Sequence, residues 1–310
     1  MQVKPIVFAK GAATFIPGVV RFACGRSYGT DSPRYCYSVW HRHVVAMAAC
    51  GIDPNFHTVA ELGPGDSLGI GLAAILTGAS RYFAFDAVPY TRPTSNLETL
   101  ETLVRLFAAR EPIPGTDEFP EIAPHVASLA FPHVLLEERL AEPHRVEAIR
   151  RALRRPADGE VSIRYAAPWH DSALVESQSV DLVISQAVLE HVDDLDDTYA
   201  ALARWLKPGG FMSHVIDFRS HGLTRDWYGH WTVHDRLWTV VRGRRPYLIN
   251  RVSASDHVRK MELAGFDIIH LQRRPGTPAP RTALARSFRD MPEEDLGTAG
   301  CFVIARKRGG

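Results

Sequence analysis

Thr58-Val59-Ala60-Glu61-Leu62-Gly63-Pro64-Gly65-Asp66-Ser67 is the stretch that decides the fold. A short apolar run closes at Glu61-Leu62, two glycines flank a proline, and an apolar helical pattern starts near Ser67. That predicts a strand, a tight turn and a helix start within about ten residues. Glycine at a turn lets a ligand come close to the backbone, because no Cβ stands in the way. The next apolar run, Arg81 to Phe85, ends at Asp86. An acid at the tip of a second strand, about twenty residues past the glycines, suits a ribose diol. The ligand expected from these residues is a nucleoside.

Working outward, strands and helices alternate. Strands are predicted at about 58–62, 81–85, 161–166, 180–185, 211–216, 266–270 and 301–305. Helices are predicted at about 67–77, from the Ser95 to Glu98 capping box onward, at 195–206, and from a cap at Ser255 to Ala264. Ser32-Pro33 opens an earlier helix with an apolar stripe through Cys36, Val39, Trp40, Val44 and Met47. The expected class is therefore α/β, with a doubly wound, mostly parallel, seven-stranded Rossmann-like sheet. Residues 1–51 are expected as an N-terminal helical cover, with residues 1–30 irregular, and 52–310 as the main domain. A helical insertion is expected to project at about 111–158, after a proline-rich segment.

The composition excludes several classes. The chain has 310 residues, is 45% apolar and carries a net charge of +1. Nothing in that balance favours nucleic acid or an anionic membrane. Its four cysteines are scattered without a CxxC pair, which fits a reducing, cytoplasmic setting. No run is long and apolar enough to read as a membrane span. Expected partners are a small-molecule or glycan acceptor, with no nucleic acid and no membrane; a homodimer is left open.

Later segments sharpen the reading. Ser179 to Val192, with Leu182-Val183-Ile184-Ser185-Gln186 and Leu189-Glu190-His191, and Leu206-Lys207-Pro208-Gly209-Gly210-Phe211 follow the glycine turn in order and spacing. Together with Glu61 to Gly65 and Asp86 they resemble class I S-adenosylmethionine-dependent methyltransferases over roughly Thr58 to Asp217. Residues 60–71 and the stretch near Trp231 are also similar, more loosely, to bacterial enzymes that tailor small metabolites or glycans. The resemblance implies S-adenosyl-L-methionine as cofactor. Gly63 and Gly65 would make room for its methionine part, with Glu61, Asp66 and Ser67 shaping the turn. Asp86 would take the ribose hydroxyls, and Ser185 and Gln186 would face the methionine end. Many relatives carry an acid after the third strand to read adenine. Here Ala166-Ala167 stands there, so Ala167 contributes backbone, or Asp171 reaches back.

Histidines supply the chemistry. His191 is the first candidate general base for a hydroxyl acceptor, because a neutral imidazole can take a proton near neutral pH. His214, Asp217 and His221, on and after the fifth strand, form a reserve set. Tyr37, Trp40, His43, His230 and Trp231 are candidate acceptor contacts, although their spacing also fits helix packing or a lid. The acidic run Asp193 to Asp197 is read as a helix start, and His230 and His234 lack a clear third ligand, so no metal is expected. The expected reaction is O-methylation of a sugar or metabolite. The alternatives are N-methylation by positioning alone, a nicotinamide-dependent enzyme (weakened by Leu68 where a third glycine belongs), and a non-catalytic cofactor-binding protein.

Overall fold

The computed structural model describes residues 3–16, 30–91, 93–137, 140, 142–155, 159–169, 174–245 and 247–309. In chain order the helices are α1 (Pro5–Ala13), α2 (Pro33–Ala49), α3 (Gly69–Leu76), α4 (Pro93–Ala109) and α5 (His133–Leu136). They continue as α6 (Pro143–Arg154), α7 (Leu195–Trp205), α8 (Asp235–Arg242), α9 (Ala254–Leu263) and α10 (Glu293–Leu296). The strands are β1 (Thr58–Leu62), β2 (Arg81–Phe85), β3 (Ser162–Ala166) and β4 (Val180–Gln186), then β5 (Leu206–Asp217), β6 (Phe266–Pro275) and β7 (Thr298–Lys307). The seven strands form one mostly parallel sheet in the order β3-β2-β1-β4-β5-β7-β6. The Lys207-Pro208-Gly209-Gly210 segment, read from sequence as a stop, is part of β5.

The chain divides into two compact units that are discontinuous in sequence. One comprises Ser27–Gln186, Ala201–His214 and Ile304–Gly310; the other comprises Met1–Arg26, Ala187–Ala200 and Val215–Val303.

In the first unit, β1 pairs in parallel with β2 and β4, and β2 with β3. β1 is buried along its whole length, as a strand covered on both faces should be. Ser32 caps α2 by accepting the Tyr35 N–H at 3.3 Å, and Pro33 takes the first turn, where its missing N–H costs nothing. α2 packs on α3 and α4, and α4 packs on α6. Of the segment expected as a helical insertion, 111–158, residues 111–132 hold no helix and α5 and α6 follow; part of the proline-rich stretch lies against α2. The buried Arg42 guanidinium donates to the carbonyls of Pro124 (2.8 Å) and Pro114 (3.0 Å), and Ser38 also donates to Pro114 (2.7 Å). Distributing its donors over carbonyls makes the buried cation tolerable.

In the second unit, the N-terminal segment read as irregular contains α1, which packs on α8. Pro5 and Gly11 look like breakers, but each has a place. Pro5 occupies the first helical turn. Gly11 sits so close to α8 that a Cβ there would lie 2.3 Å from the Val240 and Val241 carbonyl oxygens. Val3, Val7, Val233, Trp238, Val241 and Ile249 form the core beneath them. α9 is capped by Ser253, which accepts the Asp256 N–H at 3.3 Å, and not by Ser255.

Candidate active site

The strand order reverses between β1 and β4, which pair with Leu62 opposite Ser185. In open α/β sheets a ligand crevice lies at the carboxyl ends of the strands at such a switch point. Gly63 and Gly65 stand there with φ of +67° and +71°, a left-handed region that side chains disfavour. The Gly63 N–H donates to the Phe85 carbonyl at 2.8 Å and pins the turn to β2.

Asp86 is buried beside this turn. Its carboxylate accepts the Tyr165 hydroxyl at 3.1 Å and the Gly65 N–H. Burial pushes its pKa up to about 7, against the pull of those two donors. A buried carboxylate fixed at the tip of β2 is the acceptor a ribose diol would use. Glu61 lies deeper, fully buried and also accepting a backbone N–H from Gly71. Burial raises its pKa to about 8, while Tyr82, donating to Oε2 at 2.5 Å, works in the other direction.

The start of α3 decides between nucleosides. A dinucleotide would set its pyrophosphate on free N–H groups at this helix start. Here the Asp66 N–H donates to Thr30 Oγ1 (2.9 Å), Leu68 N–H to Asn96 Oδ1 (2.9 Å) and Gly69 N–H to Ser67 Oγ (3.2 Å). Ser67 in turn donates to the Thr30 carbonyl. The anion seat is filled by the protein's own side chains, which weighs against a nicotinamide dinucleotide.

Residues 141–213 match a family described as methyltransferase domain. Over that segment, from α6 into β5, the chain is similar to methyltransferase domains. Among solved structures it is similar to an S-adenosylmethionine-dependent methyltransferase from Mesorhizobium loti, with 15% identity, 90% of this chain and 100% of that one covered, and a TM-score of 0.43. A methyltransferase of the same dependence from Methanosarcina mazei gives 12% identity, 85% and 98% coverage, and 0.44. Phosphoethanolamine N-methyltransferase 2 of Haemonchus contortus, in complex with S-adenosyl-L-methionine, gives 15%, 89% and 57%, and 0.42. No curated protein matches the chain.

The residues around Gln186 come from β4, β5 and α2. His43 Nε2 lies 3.2 Å from Gln186 Oε1, and its Nδ1 lies 2.7 Å from Ser213 Oγ. Because an amide oxygen can only accept, Nε2 carries the proton and Nδ1 accepts from Ser213. Burial lowers the His43 pKa to about 4, so the ring is neutral. Gln186 Nε2 donates to the Ala123 carbonyl at 3.1 Å. Ser185 points to the opposite face of β4 and contacts His214 Nδ1 at 2.7 Å.

Several expected contacts land in packed cores. His214 is fully buried, with Ser185 Oγ 2.7 Å from its Nδ1. Tyr37 is buried with its hydroxyl donating to the Glu111 carbonyl (2.7 Å), and Trp40 is buried donating to Thr77 (2.8 Å). His230 and Trp231 are buried too; Trp231 donates to the Arg251 carbonyl (2.9 Å). Ala167 follows β3, between Ala166, whose carbonyl takes the Asp86 N–H (3.0 Å), and Trp169, whose N–H donates to the Asp86 carbonyl (3.1 Å). Asp171 lies outside the described residues.

His191, Asp217 and His221 come together in the second unit, joined by Glu190. Leu189–His191 form one turn of 3-10 helix just past β4. The His191 and His221 rings meet edge to face with centroids 5.0 Å apart. His221 Nε2 is 3.8 Å from Asp217 Oδ2 and 4.0 Å from Glu190 Oε1. Asp217 is held by Arg219 (2.6 Å) and Arg274 (3.1 Å); burial works to raise its pKa, and these two arginines outweigh it, so it stays below the usual carboxylate range. His191 Nδ1 lies 2.9 Å from the Tyr247 carbonyl. A carbonyl can only accept, so Nδ1 carries the proton and Nε2 keeps its lone pair. Burial, reinforced by His221, lowers the His191 pKa to about 4.

Asn250 was missed from the sequence. Its Nδ2 donates to the Leu189 (2.7 Å) and Val192 (3.0 Å) carbonyls, and its N–H donates to the Glu190 carbonyl (2.7 Å). One side chain thus sets the turn that carries Glu190 and His191. No local pattern near residue 250 signals that role.

Proposed function

We propose that this chain is a class I S-adenosylmethionine-dependent methyltransferase that transfers the methyl group to a hydroxyl of a small polar acceptor, a sugar or metabolite. The sulfonium already makes the methyl carbon electrophilic. What remains is to align the acceptor with the methyl and sulfur, exclude water and remove the hydroxyl proton. The glycine turn and Asp86 would hold the cofactor at its methionine and ribose, with Gln186 and the neutral His43 at the methionine end.

The observation that carries the hydroxyl reading is the His191 ring. Its Nδ1–H is committed to the Tyr247 carbonyl, so Nε2 is a lone pair directed by the fold and beside His221. A free amine attacks through its own lone pair and needs no such group. His191→Ala should retain S-adenosylhomocysteine affinity while lowering turnover of a hydroxyl acceptor by roughly 10²–10⁴-fold. Unchanged turnover in that variant would leave positioning alone as the catalytic contribution and make an amine or thiol the acceptor.

A further inference from the structure

We propose that Glu190, His191 and His221 form a binding site for one divalent transition-metal ion. One ligand atom from each lies within 4.8 Å of the other two. A metal–ligand distance of about 2.1 Å allows two ligand atoms on one ion to stand at most roughly 4.2 Å apart. The cluster therefore needs only a small inward movement to close on an ion.

The second observation is Glu190 itself. It is 2% exposed, and neither carboxylate oxygen accepts a well-formed hydrogen bond among the described residues; only the peptide N–H groups of Glu190 and Asp217 lie near. Its one ion pair among the described residues is the 4.0 Å approach of His221. Arg274, whose charge acts on it, is hydrogen-bonded to Asp217 and the Ala299 carbonyl. A buried carboxylate left this way is costly unless it holds a proton or a cation completes it. The other ligands are oriented to do so. His191 is fixed through Nδ1 to a backbone carbonyl, which is how a ligating imidazole is usually held by its outer partner. Asp217, held by two arginines, stays outside the ligand set.

Two imidazoles and one carboxylate favour zinc, iron or a similar ion over magnesium, and three protein ligands leave positions open for water or an oxygen ligand. The ion site does not depend on the methyl-transfer reading; with an ion bound, the His191 Nε2 lone pair is its ligand, and the base role proposed above belongs to the ion-free chain.

The test uses tag-free, chelator-treated protein titrated with Co²⁺, read by calorimetry and by visible d–d absorption, with Zn²⁺ as competitor. One Co²⁺ per chain, displaced by Zn²⁺, is the result expected. Glu190→Gln and His221→Ala should each weaken Co²⁺ binding by more than about tenfold, while His144→Ala, on an exposed histidine of α6, should not. S-adenosylhomocysteine titration of the same variants checks that they fold and separately reports on the cofactor reading. No Co²⁺ binding by the parent, or parent-like binding in both folded ligand variants, overturns the site.

Discussion

The Tyr82 ring occupies the space a side chain at position 71 would need. A Cβ built on Gly71 would stand 1.9 Å from the ring's Cζ. From that place the phenol donates to Glu61 Oε2 at 2.5 Å. A helix glycine, a strand tyrosine and a buried acid thus form one unit below the glycine turn.

The first prediction follows from that contact. Gly71→Ala forces either α3 or the Tyr82 ring to move, and should destabilise the protein by about 1–3 kcal/mol, the usual cost of overpacking. Combining it with Tyr82→Leu should recover part of the loss, so the two changes should be non-additive in denaturant unfolding. Additive losses would show that the ring does not depend on the glycine.

The pH dependence of the ligand-free protein has a definite sign. Glu61 is raised from 4.5 to about 8 and Asp86 from 3.8 to about 7, both first by burial. Between the unfolded and folded values the folded chain holds the extra protons, so stability contributed by these groups is full at low pH and lost as pH rises through the folded values. Thermal unfolding from about pH 5 to pH 8 should show Tm falling more steeply in the parent than in Glu61→Gln. An equal slope in both removes Glu61 as the source.

Cofactor binding should respond in the opposite direction. A ribose diol donates to Asp86 as carboxylate, so S-adenosylhomocysteine affinity should rise about tenfold between pH 6 and pH 8, following the ionised fraction of a group with pKa about 7. Asp86→Asn should bind more weakly by about 1.5–3 kcal/mol and lose that pH dependence. A calorimetric titration that is flat with pH in the parent, or unchanged in Asp86→Asn, would exclude Asp86 as the diol acceptor.

Asn250→Ala tests whether the turn carrying Glu190 and His191 must be held. Three hydrogen bonds tie it to residues 189–192. Removing the side chain should lower turnover by roughly 10–100-fold, as loss of an orienting outer partner does, with S-adenosylhomocysteine affinity kept. Loss of both in parallel would mark Asn250 as a general stability residue.

What the sequence by itself determined is the part whose physics is local. Strand and helix alternation, the Ser32-Pro33 cap, the glycine turn at Gly63 and Gly65 and the acid at Asp86 are all written in spacing and in residue-specific backbone preference. Pattern is weakest where a residue's reason lies far along the chain. Reading residues 1–30 as irregular passes over α1, because nothing near Pro5 and Gly11 announces that α8 passes within contact of Gly11. Within the segment expected as a projecting helical insertion, 111–158, nothing local announces that the Pro114 and Pro124 carbonyls meet Arg42, 72 and 82 residues away. His214 and His43 read alike as histidines, yet opposite faces of β4 and β5 send one to Ser185 and the other to Gln186 and Ser213. Only the tertiary structure decided that Glu190 joins His191 and His221, and that Asn250 holds their turn. Burial and long-range hydrogen bonding set those roles, and neither is a property of a short stretch of chain.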